Sequence, residues 1–289
     1  MNQQPFNQAE IAIWRAEIEP QESFQLQPVE LHPSPGSLDA ASQVLPPGVY
    51  TTFRTFNGDK ILSLNDQVKR LEQSADLVGC PIQLQINLLR DILCKVLKPY
   101  PSHEKRVRVS MDLKTGAIYI LIEPLQIPGK MQYERGVQVL MVRHQRQNPK
   151  AKQTQFIEIA DTIRKDYPGD VNDLLMLNDD GFILEGLNSN FFAVRNDEVF
   201  TADENVLSGI TRETVLKVIR QLGIRYHLSP IHVNELGEVE EAFLTSASRS
   251  VLPIAQIDQT RMKDPVPGPV TRAIRDAYWK YIKVRLEDL

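Results

Sequence analysis

The sequence predicts an α+β fold of two domains, and three kinds of local signal support this. Turn sequences rich in Asn, Asp and Gly join short apolar strands at Asn57-Gly58, Lys114-Thr115-Gly116 and Arg195-Asn196-Asp197, which favours hairpins. Apolar residues three or four positions apart recur in both halves of the chain, which favours amphipathic helices. The segment Ile127-Pro128-Gly129 breaks both patterns. Hairpins combined with helices favour α+β layers over a doubly wound parallel sheet.

The break near residue 127 divides the chain into a small N-terminal α+β domain over 1–126, a linker over 127–131 and a larger C-terminal α+β domain over 132–289. Residues 21–48, rich in Pro, Gln and Ser, are expected to be an irregular approach to the first strands. The further elements expected in the N-terminal domain are strands at Val49–Arg54 and Lys60–Leu64, a helix through Val68 and Val78 that is capped by Asn65 or Asp66 and ended by Pro81, a helix at Leu84–Leu97, and the hairpin strands Arg106–Met111 and Ala117–Ile122.

The C-terminal domain alternates between strand and helix patterns. The expected strands are Val137–Val142, Asp173–Leu177, Phe182–Leu184, Phe191–Val194, Glu198–Thr201, Glu241–Thr245 and Val251–Ile254. The expected helices are Gln155–Arg164, Thr211–Leu222, which Gly223 ends at its C′ position, and Thr271–Val284.

Composition excludes several classes of protein. The chain has 289 residues with a net charge of −4, and it has no basic block of the kind that binds nucleic acid. Two cysteines, Cys80 and Cys94, do not make a disulfide framework or a metal site. Residues 1–10 are polar and lack the apolar stretch of a signal peptide, and no apolar run reaches the length of a membrane span. We therefore expect a soluble, cytoplasmic protein without a metal, whose partner is a small molecule.

One carboxylate stands out in the segment Asp173–Val194, DLLMLNDDGFILEGLNSNFFAV. Glu185 lies between Leu184 and Gly186, and a carboxylate among apolar neighbours is costly to bury without a partner. The cation of a protonated ring nitrogen would be such a partner. The alternative is a surface glutamate that precedes a loop.

Two further features could hold a phosphate. In Val206–Thr214, VLSGITRET, the N–H groups at the start of a helix would face an anion, although Thr211 could instead be an ordinary N-cap. Arg70 follows the first hairpin, and its guanidinium fork suits phosphate oxygens. The alternative for Arg70 is a solvated residue on the helix surface.

The segment Asn148–Phe156, NPKAKQTQF, contains two lysines between a strand and a helix. Lysines in such a place are usually surface residues. As a nucleophile at neutral pH, a lysine needs a lowered pKa or a cofactor aldehyde.

In this order and spacing, the four segments resemble the class IV aminotransferases, which are fold-type IV enzymes that use pyridoxal 5′-phosphate (PLP). The family includes branched-chain and D-amino-acid aminotransferases and 4-amino-4-deoxychorismate lyases. The resemblance extends from about Gly48 to about Tyr278. It is carried by Tyr50, Arg54, Gly58, Arg70, Leu71, Ser74 and Ala75 in the opening segment, by Glu185, Gly186, Asn190 and Phe191, by Leu207, Gly209, Ile210, Thr211 and Arg212, and by Phe243–Ile254, FLTSASRSVLPI.

The resemblance implies two α+β domains with PLP in the cleft between them, and a homodimer. It makes Lys152 the Schiff-base lysine and Glu185 the partner of the protonated pyridine nitrogen. The phosphate would be held by Arg70, Ile210 and Thr211. The other cofactor-binding residues that it implies are Asn190, Leu207, Gly209, Ser246, Ala247 and Ser248.

The choice of Lys152 over Lys150 depends on the residues that come after each lysine. The family places an amide-bearing residue three or four positions after the lysine, and then an apolar helix. Lys152 is followed by Gln155 and Phe156, whereas Lys150 would have Gln153 and the polar Thr154 there. The pattern therefore predicts Lys152.

The chain departs from the family pattern at four positions. Gln67 stands where histidine is common, Thr51 where branched-chain enzymes usually have glutamate, Leu45 near a substrate-facing tyrosine, and Ala247 where many members have a hydroxyl. These departures do not affect the predicted lysine, carboxylate and phosphate-binding residues, but they weaken a simple assignment to the branched-chain aminotransferases.

Three residues are candidates for binding the substrate. Arg108 is similar in position to the small-domain arginine of some aminotransferases, although it could equally be an outward residue that alternates with Val107 and Val109. Arg249 lies in the turn beside the expected phosphate site, and Tyr50 lies in the first strand. The substrates themselves would be an amino acid and a keto acid.

Three functions are compatible with the resemblance. The first is transamination between an amino acid and a 2-keto acid. The second is 4-amino-4-deoxychorismate lyase, which releases pyruvate and 4-aminobenzoate and needs no amine acceptor. The third is a non-catalytic PLP-binding homologue, which would lack the lysine or the carboxylate; Lys152 and Glu185 are both present.

Overall fold

A computed structural model describes residues 11–19, 23–100, 103–263 and 265–289. The chain divides into two compact units: unit 1 comprises Met1–Gln126, Ala151–Ile159 and Arg285–Leu289, and unit 2 comprises Ile127–Lys150 and Ala160–Val284. The predicted C-terminal domain is therefore wrong for two segments, because 151–159 and the last five residues pack with unit 1. The polar N-terminus predicted for residues 1–10 lies outside the described residues.

Unit 1 is built on a five-stranded antiparallel sheet in the order β2-β1-β6-β5-β3. Its strands are β1 (Ala12–Ile18), β2 (Phe24–Pro28), β3 (Gly48–Arg54), β4 (Lys60–Leu62), β5 (Lys105–Asp112), β6 (Ile118–Pro124) and β17 (Leu286–Asp288). Its helices are α1 (Leu38–Val44), α2 (Leu64–Leu77) and α3 (Ile86–Leu97). The predicted hairpin of β5 and β6 is confirmed.

The sheet of unit 1 is covered on both faces, which explains its apolar strands. Val107 and Val109 of β5 pack with Leu71 of α2 and Leu89 of α3 in the main core. A smaller cluster forms around Leu38 of α1, with Ile13, Tyr119 and Leu121. Because successive residues of a strand point to opposite faces, Arg108 and Ser110 lie on the face away from Val107 and Val109.

Several N-terminal predictions are wrong in detail. Residues 21–48 are not wholly irregular, since they contain β2 and α1, and Ser37 caps α1 by accepting a hydrogen bond from the Ala40 N–H at 3.0 Å. Helix α2 is capped by Ser63, whose Oγ accepts from the Asp66 N–H at 3.3 Å, and not by Asn65 or Asp66.

The turn at Asn57-Gly58 has the expected positive φ angles, 51° and 94°. The strands that flank it, however, share only the bridge between Phe56 and Lys60. Strand β3 pairs with β5, and β4 pairs with the C-terminal strand β17. This last pairing is why the end of the chain belongs to unit 1.

Unit 2 is built on a mixed sheet whose main path is β12-β11-β10-β14-β15-β7-β8-β9-β13, with β16 paired to β15. Its strands are β7 (Val137–Arg143), β8 (Asp173–Leu177), β9 (Phe182–Gly186), β10 (Asn190–Arg195), β11 (Glu198–Phe200), β12 (Tyr226–His227), β13 (Ile231–His232), β14 (Glu241–Ser246), β15 (Ser250–Ile257) and β16 (Thr260–Arg261). Its helices are α4 (Lys130–Arg135), α6 (Ile210–Gln221), α7 (Pro269–Lys283) and a 3-10 helix over Val233–Glu238. Helix α5 (Gln155–Lys165) begins in unit 1 and ends in unit 2.

Most helices and strands of unit 2 begin and end within a few residues of the bounds predicted from local sequence signals. Helix α6 ends before Gly223, whose φ of 70° fits a C′ glycine. It begins at Ile210 with Gly209 as its N-cap, so the alternative of Thr211 as the N-cap is wrong. In the described part of the chain, no helix is long and apolar enough to cross a bilayer.

Candidate active site

Lys152 is held in unit 1 through its backbone. Its carbonyl accepts from the Tyr50 N–H of β3 at 2.9 Å, and its own N–H donates to Ser74 Oγ of α2 at 3.1 Å. Its Nζ lies 5.1 Å from the centre of the Tyr50 ring. A strand and a helix therefore fix the position from which this side chain projects, and Tyr50 is the aromatic surface that its ammonium group contacts.

Lys150 has a different environment. Its Nζ donates to the backbone carbonyl of Asp203, in the segment that precedes α6. An amine used in this way supports a loop, so the contact favours the choice of Lys152 over Lys150 as the reactive lysine.

Arg70 is a buried residue of α2. The alternative of a solvated helix-surface residue is therefore wrong. Ser74 Oγ donates to the Arg70 carbonyl at 2.7 Å and accepts from the Lys152 N–H. One serine thus connects the helical turn of the arginine with the segment that carries the lysine.

Thr51 and Gln67, two of the positions where the chain departs from the family pattern, contact each other in unit 1. The Thr51 hydroxyl donates to Gln67 Oε1 at 2.5 Å, and both side chains are buried. Because the Thr51 hydroxyl and the Gln67 side-chain carbonyl oxygen bond to each other, these two groups are buried without the cost of an unmade hydrogen bond.

Glu185 in unit 2 is only 2% exposed, so the alternative of a surface glutamate is wrong. It lies on β9 opposite Asn190 of β10. Asn190 Nδ2 donates to its Oε2 at 3.0 Å, and the Leu207 N–H lies 3.2 Å from both of its oxygens. Arg146 Nε lies 3.1 Å from Oε1 in an ion pair whose arginine is 8% exposed. Three groups from different segments therefore fix this carboxylate.

Arg146 was missed by the sequence reasoning. It also donates from Nη2 to the Leu187 carbonyl at 3.1 Å, so it spans the turn that follows Glu185. It occurs in the polar run Arg143-His144-Gln145-Arg146, where nothing in the sequence separates a buried arginine from an exposed one.

The glycine after Glu185 is required by close packing. A Cβ atom at Gly186 would lie 2.4 Å from Ser189 Oγ and 2.9 Å from Asp173 Oδ2. Real Cβ atoms do not approach this closely, so any other residue would displace the turn that carries Glu185.

The segment before α6 is positioned by buried polar contacts. Asn190 Nδ2 donates to the Leu207 carbonyl at 2.7 Å, and a Cβ at Gly209 would collide with Asn190 Oδ1. Arg212 is buried and donates to the Ala202 carbonyl at 2.8 Å. No side chain caps the 12-residue helix α6, so its first N–H groups can serve an anion.

The turn between β14 and β15 contains Ser246, Ala247 and Ser248. Ser246 Oγ accepts from the Arg249 N–H at 3.3 Å. The Arg249 guanidinium donates from Nη1 to Asp173 Oδ2 at 2.7 Å. The structure therefore pairs the Arg249 guanidinium with a buried carboxylate of its own unit, and its role as a substrate binder stays a prediction.

Asp173 was also missed by the sequence reasoning. It is buried at the start of β8 and accepts from Ser189 Oγ at 2.8 Å and from Arg164 Nη2 of α5 at 3.2 Å. Burial by itself raises the pKa of this carboxyl. The charges of Arg249 and Arg164 and the hydrogen bonds from Arg249 and Ser189 together lower the pKa by more than burial raises it, so the pKa of Asp173 lies below its usual value. Asp173 thus joins α5, the turn after Glu185 and the 246–249 turn.

Arg108 is 2% exposed, so the alternative of an outward strand residue is wrong. Its Nη2 donates to Asp39 Oδ1 at 2.6 Å and its Nη1 to Ser42 Oγ at 2.7 Å, both on α1. Its Cζ lies 4.6 Å from the centre of the Tyr50 ring. The guanidinium is therefore near Tyr50, as a substrate binder would be, but it is already paired with a carboxylate.

The comparison with protein families decides the assignment, since the class IV amino-transferase model matches residues 48–257. The chain belongs to this family. It is 30% identical over 244 residues to the Thermotoga maritima protein named "Probable branched-chain-amino-acid aminotransferase", covering 81% of this chain and 86% of that one. It is 26% identical over 255 residues to the D-alanine aminotransferase of Bacillus licheniformis, covering 80% and 86% of the two chains.

Solved structures of class IV aminotransferases share the fold. The crystal structure of a Thermotoga maritima protein named "putative branched-chain amino acid aminotransferase" matches with a TM-score of 0.77 at 27% identity, over 94% of this chain and 96% of that one. An aminotransferase from Brucella abortus bound to PLP matches with a TM-score of 0.72 at 22% identity, over 94% and 99% of the two chains. The predicted α+β, fold-type IV architecture is confirmed, and the protein is an enzyme of this family.

Proposed function

We propose that this protein is a PLP-dependent aminotransferase that moves an amino group between an amino acid and a 2-keto acid, with Lys152 as its Schiff-base lysine. The observation that carries the proposal is the buried Glu185, held by Asn190, Leu207 and Arg146. A fixed, buried anion beside the start of a helix suits a ligand with a cationic ring nitrogen and a phosphate.

The residues of each unit fit the parts of this cofactor. In unit 2, Glu185 would accept the proton-bearing ring nitrogen, and the N–H groups of Ile210 and Thr211 at the start of α6 would bind phosphate oxygens. In unit 1, the buried Arg70 would supply a guanidinium to the phosphate, and Lys152 would supply the amine that attaches the cofactor.

The chemistry divides among these residues. PLP, when bound, supplies an electron sink that stabilises negative charge at the substrate Cα. The Lys152 amine would take the proton from the substrate Cα and return it at the cofactor C4′. Glu185 would hold the proton on the ring nitrogen and so keep the ring cationic. An amino acid gives its amine in the first half of the cycle and a 2-keto acid takes it in the second half, which is a ping-pong cycle.

The lysine assignment is tested by chemical trapping. Wild type, Lys152→Ala and Lys150→Ala are incubated with PLP and reduced with borohydride, and the modified peptide is mapped by mass spectrometry. We expect a pyridoxyl group on Lys152 in wild type and in Lys150→Ala, and none in Lys152→Ala. Trapping on Lys150 would refute the assignment.

The reaction class is tested with a panel of L- and D-amino acids. The visible absorbance band of the PLP enzyme should be replaced by that of the pyridoxamine form with at least one amino acid, and a 2-keto acid should restore it. If no amino acid changes the band and aminodeoxychorismate yields pyruvate without an amine acceptor, the chain is a lyase. Failure to bind PLP at all would refute both functions.

We further propose a cytoplasmic homodimer. The family resemblance supports the dimer, and the free thiols of Cys80 and Cys94 suit a reducing compartment. Light scattering coupled to size-exclusion chromatography should give a mass of twice one chain, and a monomer mass would refute the dimer. Cell fractionation tests the compartment.

A further inference from the structure

We propose that Arg146 is a positioning residue for the chemistry of the bound cofactor, because its charge keeps the proton that Glu185 shares with the cofactor on the ring nitrogen. The proposal rests on the proposed function, since it takes Glu185 as the partner of that nitrogen. It concerns an arginine that no pattern in the sequence indicated.

The fold of unit 2 brings Arg146 to Glu185. Strand β7 pairs with β8, and the His144 N–H continues this pairing by donating to the Leu177 carbonyl at the end of β8 at 3.1 Å. Arg146 follows two residues later, and its Nε lies 3.1 Å from Oε1 of Glu185 on β9. Both members of the pair belong to unit 2, so the arrangement of its own strands sets their distance.

The contact between Arg146 and Glu185 acts through charge. Although Arg146 Nε lies 3.1 Å from Glu185 Oε1, it makes no hydrogen bond of good geometry. The guanidinium is anchored by its Nη2, which donates to the Leu187 carbonyl at 3.1 Å. The Arg146 side chain is 8% exposed and the Glu185 side chain 2%. Water therefore screens the pair little, and the attraction between the two charges is strong.

The other two groups that hold Glu185 are neutral. Asn190 Nδ2 donates to its Oε2 at 3.0 Å, and the Leu207 N–H lies 3.2 Å from both oxygens. Burial by itself favours the neutral acid form of a carboxyl, whereas an opposite charge within about 4–6 Å favours the ionised form by about tenfold or more. Of these three groups only Arg146 is charged, so Arg146 keeps the buried Glu185 ionised.

The location of the shared proton follows from this charge. A carboxyl and a ring nitrogen can share one proton in two ways: the acid donates to a neutral nitrogen, or the protonated nitrogen donates to a carboxylate. Both arrangements contain the same atoms and the same total charge, but only the second separates a negative from a positive charge. Arg146 contacts the carboxylate directly, so it stabilises the negative end of the second arrangement more than it repels the positive end. The charge of Arg146 therefore favours the protonated nitrogen, the form of the ring that withdraws electrons best.

The experiment loads the protein with PLP that carries 15N in its ring, because the 15N chemical shift distinguishes a protonated from an unprotonated ring nitrogen. At neutral pH the nitrogen should be protonated in wild type and mainly unprotonated in Arg146→Met, which keeps a long apolar stem but removes the charge. Arg146→Lys restores a cation and should restore the protonated signal. If Arg146→Met does not fold or does not bind PLP, Arg146→Gln, which keeps a donor for the Leu187 carbonyl, has the same expected result.

Arg143→Met is the matched control. Arg143 is the last residue of β7 and is exposed, and its Nη1 donates to the Asp179 carbonyl at 3.4 Å. The substitution removes a cation three positions before Arg146 but leaves the Arg146–Glu185 pair intact. We expect a protonated ring nitrogen and a kcat within about twofold of wild type, since exposed charges are screened by water.

Kinetics show whether Arg146 acts through Glu185. Arg146→Met should lower kcat by about tenfold and leave the KM of the amino acid substrate within about threefold of wild type, because the effect passes through the ring nitrogen and not through substrate contacts. In a Glu185→Gln background the same substitution should lower kcat by less than about twofold, since the carboxylate through which Arg146 acts is gone and the two effects are then not additive.

The outcomes separate the inference from the proposed function. A ring nitrogen that stays protonated in Arg146→Met and Arg146→Gln, an equal loss of the protonated signal in Arg143→Met, or fully additive losses of kcat in the double variant would overturn the inference. A wild type that does not bind PLP, or that binds it with an unprotonated ring nitrogen, would instead refute the proposed role of Glu185 on which the inference rests.

Discussion

Replacement of Asp173 by Asn is the most direct test of how the site in unit 2 is held together. Asp173 accepts from Arg249 at 2.7 Å, from Ser189 at 2.8 Å and from Arg164 at 3.2 Å. Asparagine preserves the shape of the side chain and one acceptor oxygen. It removes the negative charge, however, and two guanidinium groups then face a neutral amide.

The magnitude is set by burial. Removal of one partner from a buried ion pair costs about 3–5 kcal/mol, because the remaining charge is left uncompensated. Arg249 is 19% exposed and Arg164 is 36% exposed, so both can turn partly towards water. We therefore expect the lower end, a loss of about 3 kcal/mol in the free energy of unfolding. At about 2–4 °C per kcal/mol, the midpoint of thermal unfolding should fall by roughly 6–12 °C.

The assay is differential scanning calorimetry at pH 7, with and without saturating PLP. The control is Asp161→Asn, which breaks an exposed pair with Lys165 one helical turn away, 3.2 Å long. Exposed pairs of this kind contribute about 0.3–0.5 kcal/mol, so the control should unfold close to wild type. A loss below about 1 kcal/mol in Asp173→Asn, or an equal loss in the control, would refute the assigned role of Asp173.

The pH dependence provides a second check. The net pKa of Asp173 in the folded protein lies below its ordinary value of 3.8. A carboxyl whose folded pKa is lowered contributes stability above its unfolded pKa and loses it as the pH falls through the folded pKa. The difference between wild type and Asp173→Asn should therefore be constant from about pH 8 to pH 5 and shrink below about pH 4. A difference that persists unchanged at pH 3 would contradict the charge-pair explanation.

Three further predictions concern the same unit. Asn190→Ala removes the amide that donates to Glu185 and should raise the Kd for PLP by about tenfold, since a hydrogen bond to a charged group contributes about 1.5–3 kcal/mol. An unchanged Kd in a fluorescence titration would exclude this role of Asn190. Glu185→Gln should lower kcat on the order of 100-fold with a smaller change in PLP affinity, because a neutral amide cannot compensate the charge of the ring cation. Steady-state kinetics that match wild type would show that Glu185 does not act in the active site. Gly186→Ala forces a Cβ to within 2.4 Å of Ser189 Oγ and should destabilise the fold by about 1–3 kcal/mol in chemical denaturation, whereas Gly169→Ala, which meets no atom within 4 Å, should not.

Elements with local signals were predicted well. The strands of the β5–β6 hairpin and helix α6 lie within a few residues of their predicted bounds, because a turn and an apolar period are encoded by neighbouring residues. Residues 21–48 were predicted poorly, since their Pro, Gln and Ser content resembles a loop although it contains β2 and α1. Strand β2 forms because it pairs with β1, and α1 because Leu38 packs against Tyr119 and its neighbours.

Some site residues could be predicted from the sequence and others could not. The order of the motifs along the chain predicted Glu185 as a site residue, and in the structure Glu185 is buried among hydrogen-bond donors. Arg146, which pairs with Glu185, and Asp173, which holds the turn that follows Glu185, carried no signal, because each stands in a stretch where a charged residue is ordinarily exposed. Arg249 and Arg108 were singled out as anion binders, and each is already paired with a carboxylate of the protein.

The sequence by itself determined the family and the turns, since both depend on residues that are close together or in a fixed order. The tertiary structure alone decided which charges are buried and which partners they have. Arg108 pairs with a carboxylate 69 positions away, and Arg249 with one 76 positions away. Such pairs form only when the folded chain brings distant strands and helices together and removes their charges from water, and this desolvation makes each partner necessary.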